Sequence, residues 1–146
     1  MIRIKKISKG EVPELIRLSY EGDNDLLEKY HVGKYTLGQA VIVSCQMMEF
    51  KSKKEKLSYY KVIFRDKPVG YFITYEKHLF SFGIAMNFRT KEILTSWFDS
   101  VKKVLGDMFT TELYDNNTRA IKFLQKQGMK VALHNEKSRI VTLQYI

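Results

Sequence analysis

Residues 114–129 read YDNNTRAIKFLQKQGM, and this stretch carries a full set of local folding signals. A hydrophobic segment, Met108–Tyr114, ends at the Asp-Asn-Asn trio at 115–117, whose side chains favour turns and cap helix starts. A short helical pattern follows and stops at Gly128, because glycine readily takes the left-handed conformation that ends a helix. The stretch therefore predicts a strand, a turn and a short helix in that order.

Hydrophobic periodicity predicts the elements on either side of this unit. Helices are expected at Glu11–Tyr20, Asp25–Tyr30 (ended by Gly33), Thr36–Phe50 and Lys91–Leu105. Strands are expected at Ile2–Ile7, Ser58–Arg65, Val69–Tyr75, Leu79–Met86, Met108–Tyr114, Lys130–His134 and Arg139–Tyr145, with turns at 66–68 (which includes Pro68) and at 76–78.

Two of these helices differ in the clarity of their signals. Lys91–Leu105 has a continuous apolar stripe, a capping Thr90 and a terminating Gly106. Thr36–Phe50 admits two interpretations, because the β-branched run at 41–43 favours a strand whereas the apolar spacing favours a helix. Its length and the charged loop that follows favour the helix.

The spacing N-x-x-A-I-x-F-x-x-x-x-G-M, from Asn117 to Met129, resembles the C-terminal motif of the GNAT (GCN5-related N-acetyltransferase) superfamily. The predicted order of helices and strands is similar to that of the family over nearly the whole chain. The resemblance implies one α/β (α+β) domain spanning residues 1–146, with a mixed sheet of about six to seven strands and about four flanking helices. It also implies transfer of an acetyl group from acetyl-CoA to a primary amine of a small-molecule or protein acceptor.

In that family the acyl-CoA lies where the fourth and fifth strands, which run parallel, splay apart. The resemblance implies that the pantetheine arm pairs with the fourth strand, here Phe82, Gly83, Ile84, Ala85 and Met86. It also implies that the pyrophosphate binds at the start of the third helix, where the family has R/Q-x-x-G-x-G/A and unpaired amides favour an anion. Arg89, Thr90 and Lys91 fall there, whereas Glu92 and Leu94 replace the two small residues, so the loop lacks its glycines.

Asn117 has two compatible roles. The sequence alone makes it a helix cap, and the resemblance implies contact with the cofactor arm.

Acetyl transfer needs a base that deprotonates the amine. The candidates are Glu112 on the predicted fifth strand and Glu76 or His78 just before the fourth; for each, the alternative is an ordinary surface polar residue. His31 and His134 lie in less suggestive places.

The family's general acid is often a tyrosine in the fourth helix. The matching position here is Leu124, which cannot donate a proton, so Tyr114, Ser81 or a water molecule would have to do so.

Composition limits the alternatives. The formal charge is +9, from 25 basic and 16 acidic residues, and a basic surface attracts nucleic acid, phosphorylated ligands or acidic proteins. The one local cluster, KSKKEK at 51–56, is most simply a solvated loop, so a nucleic-acid-binding module is the least supported function. The single cysteine, Cys45, lies in an apolar run and is expected to be buried and structural.

Other features bear on location and cofactors. No His, Cys, Asp and Glu residues have metal-ligand spacing, so no metal is predicted. No apolar run approaches the ~18 residues of a membrane span, and the N-terminus has no signal-peptide core. A cytoplasmic protein is therefore expected, in a cell or in a phage-infected host.

A function from another class competes with the enzyme. The missing glycines, the missing tyrosine and the lysine- and aromatic-rich composition are similar to small degenerate GNAT-like proteins of tailed phages, including internal virion proteins. The alternative is thus a catalytically degenerate structural or binding protein, for example a virion component. The resemblance also implies that an exposed edge strand can pair two copies into a homodimer, as it often does in this family.

Overall fold

The computed structural model describes residues 1–30 and 33–146. These residues form seven strands, β1 (Ile2–Ile7), β2 (Ser58–Phe64), β3 (Lys67–Tyr75), β4 (His78–Ile84), β5 (Phe109–Tyr114), β6 (Lys130–Asn135) and β7 (Ile140–Tyr145). They also form five α-helices, α1 (Val12–Tyr20), α2 (Asn24–Glu28), α3 (Leu37–Ser52), α4 (Lys91–Leu105) and α5 (Thr118–Lys126).

All seven strands belong to one mixed sheet, in the order β1-β2-β3-β4-β5-β7-β6. The neighbouring strands are antiparallel except β4 and β5, which run parallel and are connected through α4. The predicted fold class, a mixed sheet flanked by helices, is confirmed.

Helices cover both faces of the sheet, because the central strand β3 buries residues on both sides. Phe72 packs in one core with Trp97 of α4 and Leu124 of α5. Tyr71 and Ile73 point the other way and pack in a second core with residues of α1 and α3. The sheet therefore separates an α4–α5 layer from an α1–α3 layer.

The helix ends follow the local signals. Thr90 accepts a hydrogen bond from the Ile93 amide (3.2 Å), and Gly106 ends α4 with φ +87°. Thr36–Phe50 is helical, as expected. A capping box begins α3: Thr36 accepts from the Gln39 amide (3.2 Å), and the Gln39 side chain accepts from the Thr36 amide (2.9 Å).

Several boundaries differ from those expected. Pro68 is the second residue of β3, since the β2–β3 turn is formed by Arg65 and Asp66, both with positive φ. β4 begins at His78, which was expected in a turn, and ends at Ile84. Ala85 and Met86, predicted to belong to this strand, lie beyond its observed end, because a 3-10 turn at Met86–Phe88 follows.

Smaller differences concern the first half of the chain. α1 begins at Val12 after a 3-10 turn at Lys9–Glu11, and α2 spans Asn24–Glu28 rather than 25–30. Cys45 is half-buried at the edge of the second core rather than fully buried. Gly33, the expected stop, borders residues 31 and 32, and His31 lies outside the described residues.

Candidate active site

The parting of β4 and β5 opens a groove in the sheet. Within the described residues the two strands pair only at His78↔Thr110 and Leu79↔Thr111. The Thr111 hydroxyl donates to the Leu79 carbonyl (2.8 Å), closing the narrow end. Beyond that point one edge of β4 has no partner strand, so its backbone polar groups are available to a ligand.

Two cavities meet at this groove and share Leu26, Phe82, Gly83, Arg89 and Asn117. The first, which we call the tyrosine cavity, has a volume of about 300 Å³ and lies toward α1, α2 and α3; its rings come from Tyr20, Tyr30, Tyr35, Tyr71, Tyr114, Phe80 and Phe82. The second, the interhelix cavity, has a volume of about 450 Å³ and lies between α4 and α5. β4 thus separates two connected compartments.

His78 and Glu112, predicted separately as bases, are brought together in the tyrosine cavity. His78 Nδ1 lies 2.8 Å from the Thr110 hydroxyl, and His78 Nε2 lies 3.9 Å from a Glu112 carboxylate oxygen. The His78 side chain is 14% exposed and that of Glu112 is 55% exposed. Glu76, in contrast, lies in the β3–β4 turn and lines neither cavity.

The surroundings of His78 favour its neutral form. Burial lowers the pKa of His78 below its ordinary value, the Glu112 carboxylate opposes this effect, and Lys51 adds to it. A neutral imidazole at pH 7 can accept a proton, and the adjacent carboxylate would stabilise the imidazolium that results.

The hydroxyl groups that could supply a proton also lie in the tyrosine cavity. Tyr114 and Ser81 both line it, and the Ser81 hydroxyl is 2.9 Å from that of Tyr71. Burial raises the pKa of Tyr71 well above its ordinary range. On α5, Leu124 is fully buried in the core and Phe123 lines the interhelix cavity, so these neighbouring positions contribute no hydroxyl.

A buried ion-pair cluster joins the elements around the groove. The Asp23 carboxylate, 1% exposed, accepts from the Leu26 amide (3.1 Å), from Arg89 and from Arg119 (2.5 Å). Arg89 also donates to the Ser19 carbonyl (2.8 Å) and the Ile84 carbonyl (2.7 Å). The arginine proposed for the pyrophosphate is therefore held by protein acceptors.

The electrostatic balance of Asp23 follows from those contacts. Burial would raise the pKa of Asp23, but hydrogen bonds from Arg89 and Arg119 outweigh it, so this pKa lies below its ordinary value. Sequence reasoning missed Asp23 and Arg119, because neither stands in a motif and their interaction spans 96 positions.

The other predicted cofactor residues divide into two groups. Ile84 and Met86 line the interhelix cavity together with Phe82 and Gly83. Ala85 is buried but does not line this cavity. Thr90 and Lys91, like Glu92, are exposed at the start of α4 and line neither cavity.

Asn117 combines the cap with a cavity position, since its side chain accepts from the Ala120 amide (3.3 Å). Residue 83 has no room for a side chain, because a Cβ added to Gly83 would lie 2.5 Å from the Ser19 Cβ.

Trp97 is one of the aromatic residues that line the interhelix cavity. It is 1% exposed and lines this cavity together with Leu94 and Phe123. Its buried indole N–H has no acceptor within the described part of the chain. A buried donor without a partner is unfavourable, which makes this group a candidate for contact with a ligand.

Metal and membrane features are absent from the described residues. Residues 1–30 and 33–146 contain no group of three or more His, Cys, Asp or Glu side chains that could hold a metal ion. None of the helices described is long and apolar enough to cross a bilayer.

No protein-family model and no curated protein sequence matches the chain. Solved structures are similar over its full length. The PaiA N-acetyltransferase of Thermoplasma acidophilum, in complex with coenzyme A, has a TM-score of 0.70 at 12% identity, covering 99% of this chain and 98% of that one. The apo form of YjaB from Escherichia coli has a TM-score of 0.68 at 18% identity, covering 100% and 98%.

A third similar structure is the aminoglycoside acetyltransferase AAC(6')-Ib in complex with coenzyme A. Its TM-score is 0.68 at 12% identity, and the alignment covers 99% of this chain and 94% of the other. At such identities the likeness establishes the fold, which is the GNAT fold.

Proposed function

We propose that the chain is an N-acetyltransferase of the GNAT superfamily that transfers an acetyl group from acetyl-CoA to a primary amine. The observation that carries this proposal is the groove between β4 and β5, where the tyrosine cavity with His78 and Glu112 meets the interhelix cavity. Two similar structures, PaiA and AAC(6')-Ib, are acetyltransferases in complex with coenzyme A, which supports this use of the fold.

The interhelix cavity fits the arm of an acyl-CoA. The unpaired edge of β4 offers backbone groups to an amide-rich chain, and Leu94 and Phe123 supply apolar contact. Such an arm also carries carbonyl oxygens, the acceptors that the Trp97 indole lacks. Phe82, Gly83, Ile84 and Asn117 would complete the contacts.

The pyrophosphate would be held differently from the family pattern. Arg119 is 43% exposed and lines the interhelix cavity, so its guanidinium is available to an anion on its solvent side. Lys91 and the first-turn amides of α4 add positive potential, which Glu92 partly offsets. Arg89 keeps its structural role beside Asp23.

Acetyl-CoA supplies the activated acetyl group, and the residues of the tyrosine cavity handle the protons. Glu112 attracts the ammonium form of the acceptor. Neutral His78 accepts the proton as the amine becomes nucleophilic, and Glu112 then stabilises the imidazolium. The Tyr114 hydroxyl is the proposed proton donor to the departing thiolate, a role that Leu124 and Phe123 cannot fill.

The first test measures cofactor binding. Trp97 is the only tryptophan in the chain, so a titration with acetyl-CoA is followed by its fluorescence. We expect a saturable change, together with a higher melting temperature at about 1 mM acetyl-CoA because ligand binding stabilises the folded state by mass action. Trp97→Phe is the control, since it removes the fluorescence signal without introducing a polar group.

The second test measures turnover as release of the free CoA thiol with a panel of amines. Release that depends on an amine and falls in His78→Gln supports the enzyme. An unchanged melting temperature and unchanged fluorescence at that concentration would overturn the proposal. Binding without turnover would favour the catalytically degenerate alternative, to which Glu92, Leu94 and the buried Leu124 point.

A further inference from the structure

The tyrosine cavity presents one unpaired negative charge to a ligand. Among the described residues that line it, Glu112 is the only carboxylate, and the cationic Arg89 is bound to Asp23, a carboxylate that it shares with Arg119. Asp25, next to the lining residue Leu26, is already paired with Lys29 (3.3 Å). The single Glu112 carboxylate can balance the charge of one ammonium group on a ligand.

One lysine lies near the cavity that contains this carboxylate, and the chain as a whole is basic. Lys51 lies 5.9 Å from the centre of the Phe80 ring, which lines the cavity, and the whole chain carries a formal charge of +9. A polycationic acceptor would meet repulsion from this field without a second carboxylate to offset it. The charge pattern therefore selects against polyamines and aminoglycosides.

The cavity wall is made largely of aromatic rings. Seven tyrosine and phenylalanine rings line it, and a ring face attracts both an apolar body and a cation. Two pairs of hydroxyls in the wall are hydrogen-bonded to each other, Tyr20 with Ser44 (3.3 Å) and Tyr71 with Ser81 (2.9 Å). These bonds leave fewer hydrogen-bonding groups in the wall for a ligand, which favours an apolar ligand over a polyhydroxylated one.

Size sets a further limit. A volume of about 300 Å³ is at the lower end of the usual range for small-molecule sites, ~300–1,000 Å³. It suits a body of one or two rings or a branched aliphatic chain.

We infer that the acceptor is a small primary monoamine with an aromatic or branched aliphatic body. Its ammonium group is directed to Glu112 and His78, and its body lies against the tyrosine rings. This inference rests on the proposed acetyl transfer, and it names the acceptor class for the same groove.

The test compares kcat/KM for phenethylamine and isoamylamine with kcat/KM for spermidine, kanamycin and a lysine-containing peptide, all at one acetyl-CoA concentration. We expect the monoamines to exceed the others by at least about tenfold, the scale of discrimination that an apolar pocket provides. Equal or better turnover of spermidine, kanamycin or the peptide would overturn the inference.

A binding measurement keeps this inference separate from the proposed function. Phenethylamine is titrated by calorimetry into the wild type, Glu112→Gln and Glu136→Gln. Glu136→Gln is the matched control, because it also removes one negative charge but Glu136 lines neither cavity. We expect binding to the wild type and Glu136→Gln, and binding at least about tenfold weaker to Glu112→Gln.

The two proposals then fail in different ways. Binding of phenethylamine without any response to acetyl-CoA would overturn the acetyltransferase and leave the monoamine site standing. Turnover of acetyl-CoA with spermidine alone would overturn the monoamine class and support the acetyltransferase. Absence of phenethylamine binding to the wild type would overturn the monoamine site.

Discussion

His78 Nε2 lies 3.9 Å from Glu112 Oε1 although the two residues belong to different strands. The register explains their proximity: His78 pairs with Thr110, and Glu112, two residues further along β5, points to the same face of the sheet. The register thus places an imidazole and a carboxylate side by side where the two strands part.

This pair predicts the pH dependence of acetyl transfer. Because burial lowers the pKa of His78, the imidazole stays neutral at pH 7 and loses its basic function only below its ordinary 6.5. We expect kcat/KM to fall as the pH drops through a value below 6.5. His78→Gln should lower kcat by ~10²–10⁴-fold and remove this decline at low pH, which is the acid limb of the profile. An unchanged acid limb in His78→Gln would contradict the role of His78 as the base.

Glu112→Gln should act differently on the same profile. The Glu112 carboxylate opposes the lowering of the His78 pKa, so its removal should move the acid limb to still lower pH. It should also raise the KM for a cationic amine, because the ammonium group loses its counter-charge. Kinetics with one amine between pH 4.5 and 8 measure both effects, with Glu136→Gln as the charge-matched control.

Asp23 predicts a stability effect that is separate from catalysis. Asp23→Asn leaves two arginines without their carboxylate and should lower the free energy of unfolding at pH 7 by about 3–5 kcal/mol. Asp25→Asn, two residues further along in a half-exposed pair with Lys29, should cost at most about 1 kcal/mol. Urea unfolding measures both, and equal losses would contradict the role given to Asp23.

The pH dependence of that stability has a defined sign. Since the pKa of Asp23 is lower in the folded state, its contribution is present above the ordinary value of 3.8 and is lost as the pH falls through the folded value. Wild type should therefore lose more stability than Asp23→Asn between pH 5 and pH 2.

Elements whose ends are set by neighbouring residues could be predicted from the sequence more closely than those that depend on distant contacts. Lys91–Leu105 was predicted to the residue, since Thr90 and Gly106 define its ends by backbone chemistry within a few positions. β4 was predicted too long at its C-terminal end, because the apolar run to Met86 gives no sign of the 3-10 turn that follows Ala85.

The residues of the candidate site also differ in whether they could be predicted from the sequence. His78, Glu112 and Tyr114 could be proposed because the family resemblance implies a site between the fourth and fifth strands, and all three line the cavity at that groove. The Asp23 cluster could not be predicted, since its partners are 66 and 96 positions away and only the folded chain brings them together. The same contacts explain why Arg89, predicted for the cofactor, is occupied by protein acceptors.

The tyrosine cavity offers a test by volume. Val43 of α3 lines the cavity, whereas its neighbour Ile42 is 58% exposed and does not. Val43→Phe should shift turnover from phenethylamine toward smaller amines, with a rise in KM for phenethylamine of about tenfold or more. Ile42→Phe is the matched control and should keep the wild-type preference. A similar change in both variants would point to a general effect on α3.

Glu92 predicts opposite effects on stability and on cofactor affinity. It lies in the first turn of α4, where a carboxylate interacts favourably with the helix dipole and stabilises the helix by ~0.3–1 kcal/mol. The same carboxylate would repel a nearby phosphate. Glu92→Gln should therefore lower the melting temperature slightly and tighten acetyl-CoA binding by about two- to fivefold at low salt, as measured by Trp97 fluorescence. Asp99→Asn, exposed further along the same helix, is the control and should leave the affinity unchanged. An unchanged affinity in Glu92→Gln would mean that the pyrophosphate does not bind at the start of α4, and Arg119 would then be the residue to test for that contact.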